Sequence, residues 1–237
     1  MNSHSFPDPL TRLYEVTGMS GLPFQRLEFG TKYCSVMLAD GQSGVCATLG
    51  VAAPDTLPRS FDADFKSPSG RVIAMAALNA ALPTPVVNSD QADVVEAAVA
   101  SGFSHVVMIG LFRPLIEPLR AAGIRLSIFD LDESTPLVRP AGELGEAIKE
   151  ASLVVVTATS IANNTFAGIM NGIPAGLEVW MLGPSTPLSE VLLHEWPLTR
   201  LFGTRFPVDC HSLHDLVAAG KGTRSFIHLG QKVSLIQ

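Results

Sequence analysis

Charge, cysteine and long apolar runs are all scarce in this 237-residue chain. Only 16% of its residues are charged and the balance is −6 with histidine neutral, so no basic stripe is offered to a phosphate backbone and nucleic acid is not an expected partner. Three cysteines, Cys34, Cys46 and Cys210, make an odd number without a CxxC pair, which fits reduced structural thiols rather than a disulfide framework. Apolar residues make up 47% of the chain, yet each run is broken by Gly, Pro, Asn or charge well short of the roughly 18 residues that a membrane span needs. The opening MNSHSFPDPL lacks a basic region followed by an apolar core, so no secretory signal is read and a cytoplasmic protein is expected. A chain this apolar is expected to be compact, with length enough for one large domain or two small ones.

What the chain has instead is alternation. From His105 onward, short β-branched and aliphatic runs such as HVVMIG, RLSIFDLD, LVVVTATS and LEVWMLGPS take turns with the amphipathic segments FRPLIEPLRAAG, AGELGEAIKEAS, NTFAGIMNGI and PLSEVLLHEW. That is the pattern of βα units laid into a parallel sheet with helices on both faces. Ligands of such sheets sit off the carboxyl ends of the strands, so the loops Gly110–Pro114, Asp130–Pro136, Thr157–Thr165 and Gly183–Pro187 are expected to converge.

The first part has another texture. A helix is expected over Leu10–Val16, then three strands over Gln25–Phe29, Tyr33–Leu38 and Gly44–Leu49, whose short links require antiparallel pairing. The Ala-rich GRVIAMAALNAAL, free of breakers up to Pro83, reads as a helix. The fold class is therefore α/β, with a small N-terminal α+β module over residues 1–90 and an α/β domain over 91–237.

Five segments, taken in order, carry a family resemblance: EFGTKYCSVMLADGQSGVCATLG (28–50), AALNAAL (76–82), MIGLFRP (108–114), TATSIANNT (157–165) and LGPSTPL (182–188). Together they resemble the putative heavy-metal chelation family of uncharacterised prokaryotic proteins, over nearly the whole chain. The resemblance implies an enolase-N-terminal-like module packed on a Rossmann-like domain, with a site between them. One departure bears on charge: the family usually has Phe-Pro directly after the first turn, and here Arg113 stands between Phe112 and Pro114.

Individual residues sharpen that picture. The turn after Gly110 is not GxGxxG, and Phe112 stands where a dinucleotide site keeps the backbone bare. Pro114 suits a first helical turn whose free N–H groups face the sheet edge, and Arg113 adds a cation there; the plainer alternative leaves Arg113 in solvent and Phe112 in a seam. Asp130 stands after the second strand, where a carboxylate meets a diol or merely a turn. Thr157, Thr159, Asn163, Asn164 and Thr165 can donate and accept but include no strong base, which suits binding; Asn164 or Thr165 is also a candidate helix cap. Beyond Gly183, Ser185 or Thr186 is expected to cap a helix starting at Pro187 and the other to touch ligand. Asn79, polar on an apolar helix, needs a buried partner or a cavity, and the family pattern makes it the first module's contribution to the site. His211 and His214 would share a helix face, but their spacing matches no zinc pattern and no metal ligands are assigned.

The expected activity is binding, or processing, of a small polar or anionic ligand, plausibly a heavy-metal chelate or chelator, in a cleft between the modules. The alternative is a Rossmann-type enzyme using a nucleotide or an S-adenosylmethionine-like ligand; the missing Gly-rich loop and acid/base pair weigh against it. Whether a reaction is catalysed, and with which cofactor beyond a metal chelate, stays open. A small molecule is the expected partner, with no membrane, and self-association into a homo-oligomer is left open.

Overall fold

The computed structural model describes residues 6–61, 64–83, 89–90, 93–132 and 134–237. Helix α1 (Pro9–Thr17) leads into an antiparallel sheet of β1 (Phe24–Phe29), β2 (Tyr33–Leu38) and β3 (Ser43–Ala47), in that order. The third strand ends two residues before the expected Leu49, because Leu49 and Gly50 turn to φ of 54° and 78°. Helix α2 (Pro68–Ala81) is capped by Ser67, whose side chain accepts from Gly70 N–H. Its residues Arg71 to Ala80 are all buried, so this helix is enclosed rather than amphipathic. Its alanines let it lie close to β3: a β-carbon on Gly44 would sit 2.3 Å from the backbone of Ala76 and Ala80, so only glycine permits that approach.

The short strand β4 (Ser89–Asp90) and helix α3 (Val94–Ala100) precede the alternating units. These are β5 (His105–Ile109), α4 (Arg113–Ala121), β6 (Arg125–Phe129), α5 (Leu144–Glu150), β7 (Leu153–Thr157), α6 (Thr159–Ala162), α7 (Phe166–Asn171), β8 (Glu178–Leu182), α8 (Glu190–Glu195) and β9 (Arg200–Arg205). Helices α9 (His211–Ala218) and α10 (Thr223–Phe226) and strand β10 (Gln231–Ile236) follow. The second sheet has seven strands in the order β4-β10-β9-β8-β7-β5-β6. Strands β5 to β9 are parallel, while β10 runs antiparallel to β9 and β4 antiparallel to β10. Strand β5 has β6 on one side and β7 on the other, so the winding reverses between β5 and β7. The expected junction near residue 90 borders positions 84–88 and 91–92, which lie outside the described residues.

Both faces of the parallel strands are buried, which is why they read as unbroken apolar runs. Val106, Met108, Val155 and Phe202 pack under α3 and α4. Val107, Val154, Val156 and Met181 face the other way, in a core continuous with α2 and the first sheet. The far face of the first sheet is covered by α9 and α10 from the end of the chain, with Val45, Leu213, Val217 and Phe226 in contact.

Two arginines hold α2 at its ends. Arg71, only 6% exposed, pairs with both carboxylate oxygens of Asp8 at 2.9 and 2.8 Å and donates to the carbonyls of Ile161 (2.6 Å) and Ala162 (3.0 Å). Arg205 donates to the carbonyl of Asn79 (2.6 Å), in the last turn of the helix where intrahelical partners run out, and to that of Pro83 (2.9 Å) just beyond it. Burial alone would raise the Asp8 carboxyl, but hydrogen bonds from Arg71 and Thr11 outweigh it and hold the group below its usual value.

Replacing Arg71 by Met takes its N–H groups from the carbonyls of Ile161, Ala162 and Phe65 and leaves the Asp8 carboxylate without its cation, with Thr11 as its remaining side-chain donor, so the variant is expected to lose about 3–5 kcal/mol in urea unfolding at pH 7. Because the Asp8 carboxyl is depressed on folding, its stabilisation is present above the unfolded value of about 3.9 and is lost as pH falls below it. A loss under about 1 kcal/mol at pH 7 would show that this clamp does not hold the helix.

Candidate functional site

An open groove of about 770 Å³ lies at the carboxyl end of the parallel strands, on the side of α3 and α4. The loop after β5 supplies Leu111, Phe112 and Arg113, and the turn after β8 supplies Gly183. Phe202 of β9 and Val233 of β10 continue the apolar lining. Lys32 and Tyr33 reach it from the β1–β2 turn, and Thr223 and Arg224 from α10. Tyr33 anchors that side: its hydroxyl is 2.7 Å from Thr223 Oγ1 and its ring packs edge-on against Phe226 with centroids 4.9 Å apart.

Charge around this lining is one-sided. Lys32, Arg113, Arg224 and Lys232 border the groove, and Asp93 is the one carboxylate beside them among the described residues. Asp93 is taken by Lys232 at 2.9 Å. Lys32, Arg113 and Arg224 are exposed and have no ion-pair partner among the described residues. Arg113 acts at longer range, its charge adding to the Ser134 hydrogen bonds that keep the Asp132 carboxyl low. The described lining contains no histidine or cysteine, so it has apolar surface and fixed positive charge but no evident proton-transfer pair.

The sequence-predicted residues fall in three places. Phe112, Arg113 and Gly183 line the groove. A second group lies at the reversal of the sheet. Gly110 adopts φ 111° and sits so close to Thr157 that a β-carbon would approach its Cβ at 2.8 Å. Asp130 accepts from Leu111 N–H at 2.7 Å and Asp132 N–H at 3.0 Å, tying the loop after β5 to that after β6. The hydroxyls of Thr157 and Thr159 are 2.9 Å apart, and Asn163 Oδ1 accepts from the amide and hydroxyl of Thr165 at 3.1 and 2.7 Å. Thr165 stands at the N-cap of α7 without a side-chain capping bond, and Asn164 turns the chain with φ 62°, so neither side chain caps that helix. The polar run bonds within itself around the single turn of α6 and is absent from the groove lining.

The third place is the seam between α2 and the second sheet. Asn79 Nδ2 donates to the carbonyls of Val45 (3.0 Å) and Ser185 (2.9 Å), while Ser185 Oγ accepts from Ala47 N–H at 3.1 Å. Asn79 Oδ1 and Thr186 Oγ1 are buried with no hydrogen-bond partner among the described residues. Helix α8 starts at Glu190 rather than Pro187, with Ser189 at its N-cap. Ser185 and Thr186 therefore cap no helix, since the Ser185 hydroxyl is drawn across the seam to β3.

His211 opens α9, but His214 is fully buried beneath the first sheet. Its Nδ1 lies 2.9 Å from Ser35 Oγ and its Nε2 3.1 Å from Ser43 Oγ, so both ring nitrogens are engaged. Reading the sequence alone missed Lys32, Tyr33, Thr223, Arg224 and Lys232. They come from a turn near residue 30 and from the last fifteen residues, and no spacing rule links them.

Fold and groove together define an α/β protein with a compact helix-backed sheet docked on a mostly parallel one. The chain belongs to the family described as putative heavy-metal chelation, whose model matches residues 93–236. It resembles the crystal structure of a protein of unknown function from the DUF364 family of Pyrococcus horikoshii, with a TM-score of 0.81, 17% identity, and 96% of this chain and 98% of that one covered. A second such protein, from Desulfitobacterium hafniense, gives 0.72 and 17%, with 96% and 99% covered. No curated protein matches the chain. Among the described residues, no helix is long and apolar enough to cross a membrane.

Burial, with the nearby charges of Arg26 and His211, pushes the His214 imidazole down to about 4 against a smaller opposing effect of Asp215. The unfolded chain therefore takes up a proton below about pH 6.5 that the folded chain refuses until about 4. Stability is expected to fall across that window, and His214→Gln to lose this part of the pH dependence. Urea midpoints at pH 7.5 and 5 check this, and an equal drop in both proteins would contradict it.

Proposed function

We propose that this protein binds a small anionic molecule with an apolar body, a heavy-metal chelate, in the groove between the β1–β2 turn and the α/β sheet. The observation that carries this reading is the trio Lys32, Arg113 and Arg224, none of them ion-paired among the described residues, around an apolar lining. Unpaired cations beside low-dielectric surface attract anions more strongly than the same charges in open water. Apolar and aromatic lining with a few polar groups is also what small-molecule sites present.

The contacts follow from the lining. Phe112 and Phe202 offer ring faces and edges to the chelator's body, and Lys32, Arg113 and Arg224 meet its carboxylates or phenolates. Gly183 borders the groove without a side chain of its own. The metal arrives already held by the chelator and is cargo, so the protein need supply no ligand to it. The family description agrees with this role.

The nucleotide-using enzyme is the weaker reading. The carboxylate expected to meet a ribose, Asp130, already accepts from two backbone amides, and Phe112 lines the groove where a pyrophosphate would need bare backbone.

Calorimetry with ferric 2,3-dihydroxybenzoate, ferric citrate and ferric ion alone tests the proposal. The aromatic chelate is expected to bind more tightly than citrate, and more weakly as salt rises. Lys32→Gln, Arg113→Gln and Arg224→Gln should each weaken it roughly tenfold or more, the range expected for one charge-assisted hydrogen bond of about 1.5–3 kcal/mol. Affinity for neither chelate, or affinity unchanged in all three variants, would overturn it.

A further inference from the structure

The loop after β6 holds an apolar side chain out in solvent. Leu131 is 79% exposed, whereas the next most exposed large apolar side chain among the described residues, Val208, reaches 53%. The backbone on both sides of it is tied down: Asp130 accepts from the N–H groups of Leu111 and Asp132, and Asp132 Oδ1 accepts from Ser134 N–H at 3.0 Å. A leucine presented in this way gives up little backbone freedom when another surface covers it.

Charge accompanies it. Asp132 is exposed and has no ion-pair partner among the described residues. Hydrogen bonds from Ser134, with the charge of Arg113 adding to them, hold its carboxyl below the usual value, so it is an anion at neutral pH. This loop adjoins the groove, since Asp130 is bonded to Leu111 at the rim. One edge of the molecule thus carries, side by side, a protruding leucine with an anion and an apolar groove with unpaired cations. A two-fold axis through such an edge turns each half toward the other half of a second copy, so both contacts form at once and the pair closes instead of growing into a filament.

We propose that two copies of this chain associate about such an axis, Leu131 of each entering the other's groove beside Leu111, Phe112 and Leu115, and Asp132 of each meeting Arg113 of the other. The association uses the same groove as the small-molecule reading but does not need that molecule to be bound. The two compete: a seated loop narrows the way in, so self-association regulates access to the groove. A short loop and one end of a groove supply fewer residues than the roughly 20–30 a side of a stable interface, so the pair is weak and forms as concentration rises.

Sedimentation velocity on the full chain, without ligand, tests this. The mean mass is expected to rise from one chain toward two over a range of about 10 μM to 1 mM. Leu131→Asp should weaken association at least about tenfold, since it removes a covered leucine and adds a repelling charge. Asp132→Arg and Arg113→Asp should each weaken it comparably, and the protein carrying both should regain it, because the exchanged charges meet again across the axis. Contact is read directly in a mixed sample of isotope-labelled and unlabelled chains, where nuclear Overhauser signals from the Leu131 methyls to the Phe112 ring of the other copy are expected. Calorimetry with ferric 2,3-dihydroxybenzoate on Leu131→Asp, whose own groove is intact, reads the small-molecule site separately, so a failure there is distinguishable from a failure here. A mass of one chain throughout that range, association unchanged in Leu131→Asp, no recovery in the doubly exchanged protein, or association without those Overhauser signals would overturn the proposal.

Discussion

A helix enclosed on every side governs this structure. Residues Arg71 to Ala80 of α2 are all buried, so this segment cannot turn a polar face to water and its ends must find their partners inside the protein. Small side chains answer the steric part of the problem, and Gly44 lets β3 come close enough to pack against the helix backbone. The polar part falls to two arginines. Arg71 draws carbonyls from α6 toward one end, and Arg205 brings β9 to the other. These contacts fix how the first sheet sits on the second, and so where the β1–β2 turn falls. Lys32 and Tyr33 reach the groove because of that placement.

The alternating second sheet was legible from the residues because both faces of β5 and β7 are buried, which writes itself as VVM and VVV. The antiparallel strands were legible for a different reason, since links as short as Gly30-Thr31-Lys32 allow nothing else. The polar residues were harder. In TATSIANNT the sequence shows donors and acceptors but not who meets whom, and the local turn of α6 pairs Thr157 with Thr159 and Asn163 with Thr165. Ser185 looked like a helix cap by its neighbours, but its hydroxyl is taken by Ala47, 138 residues earlier. Lys32 and Arg224 could not be joined on the page at all, because their proximity depends on the chain returning beneath the first sheet.

Identity of only 17% alongside a TM-score of 0.81 shows how little of the residue detail the architecture needs. A core of this kind asks for matching volume and patterning rather than particular side chains. Arg113, between Phe112 and Pro114, is the first residue of α4 and stands on the border of the groove, where it adds a positive charge.

The far face of the first sheet is closed by α9, and the contact between Ser35 and His214 joins residues 179 apart. During synthesis the three strands emerge long before the helix that covers Ser35, Ser43 and Val45. Until then one side of that sheet stays wet, with apolar Val45 uncovered. Contacts of such long sequence separation are slow to form and leave partly folded chains prone to associate. A nascent chain of this protein therefore holds these strands without their native cover until α9 has been made.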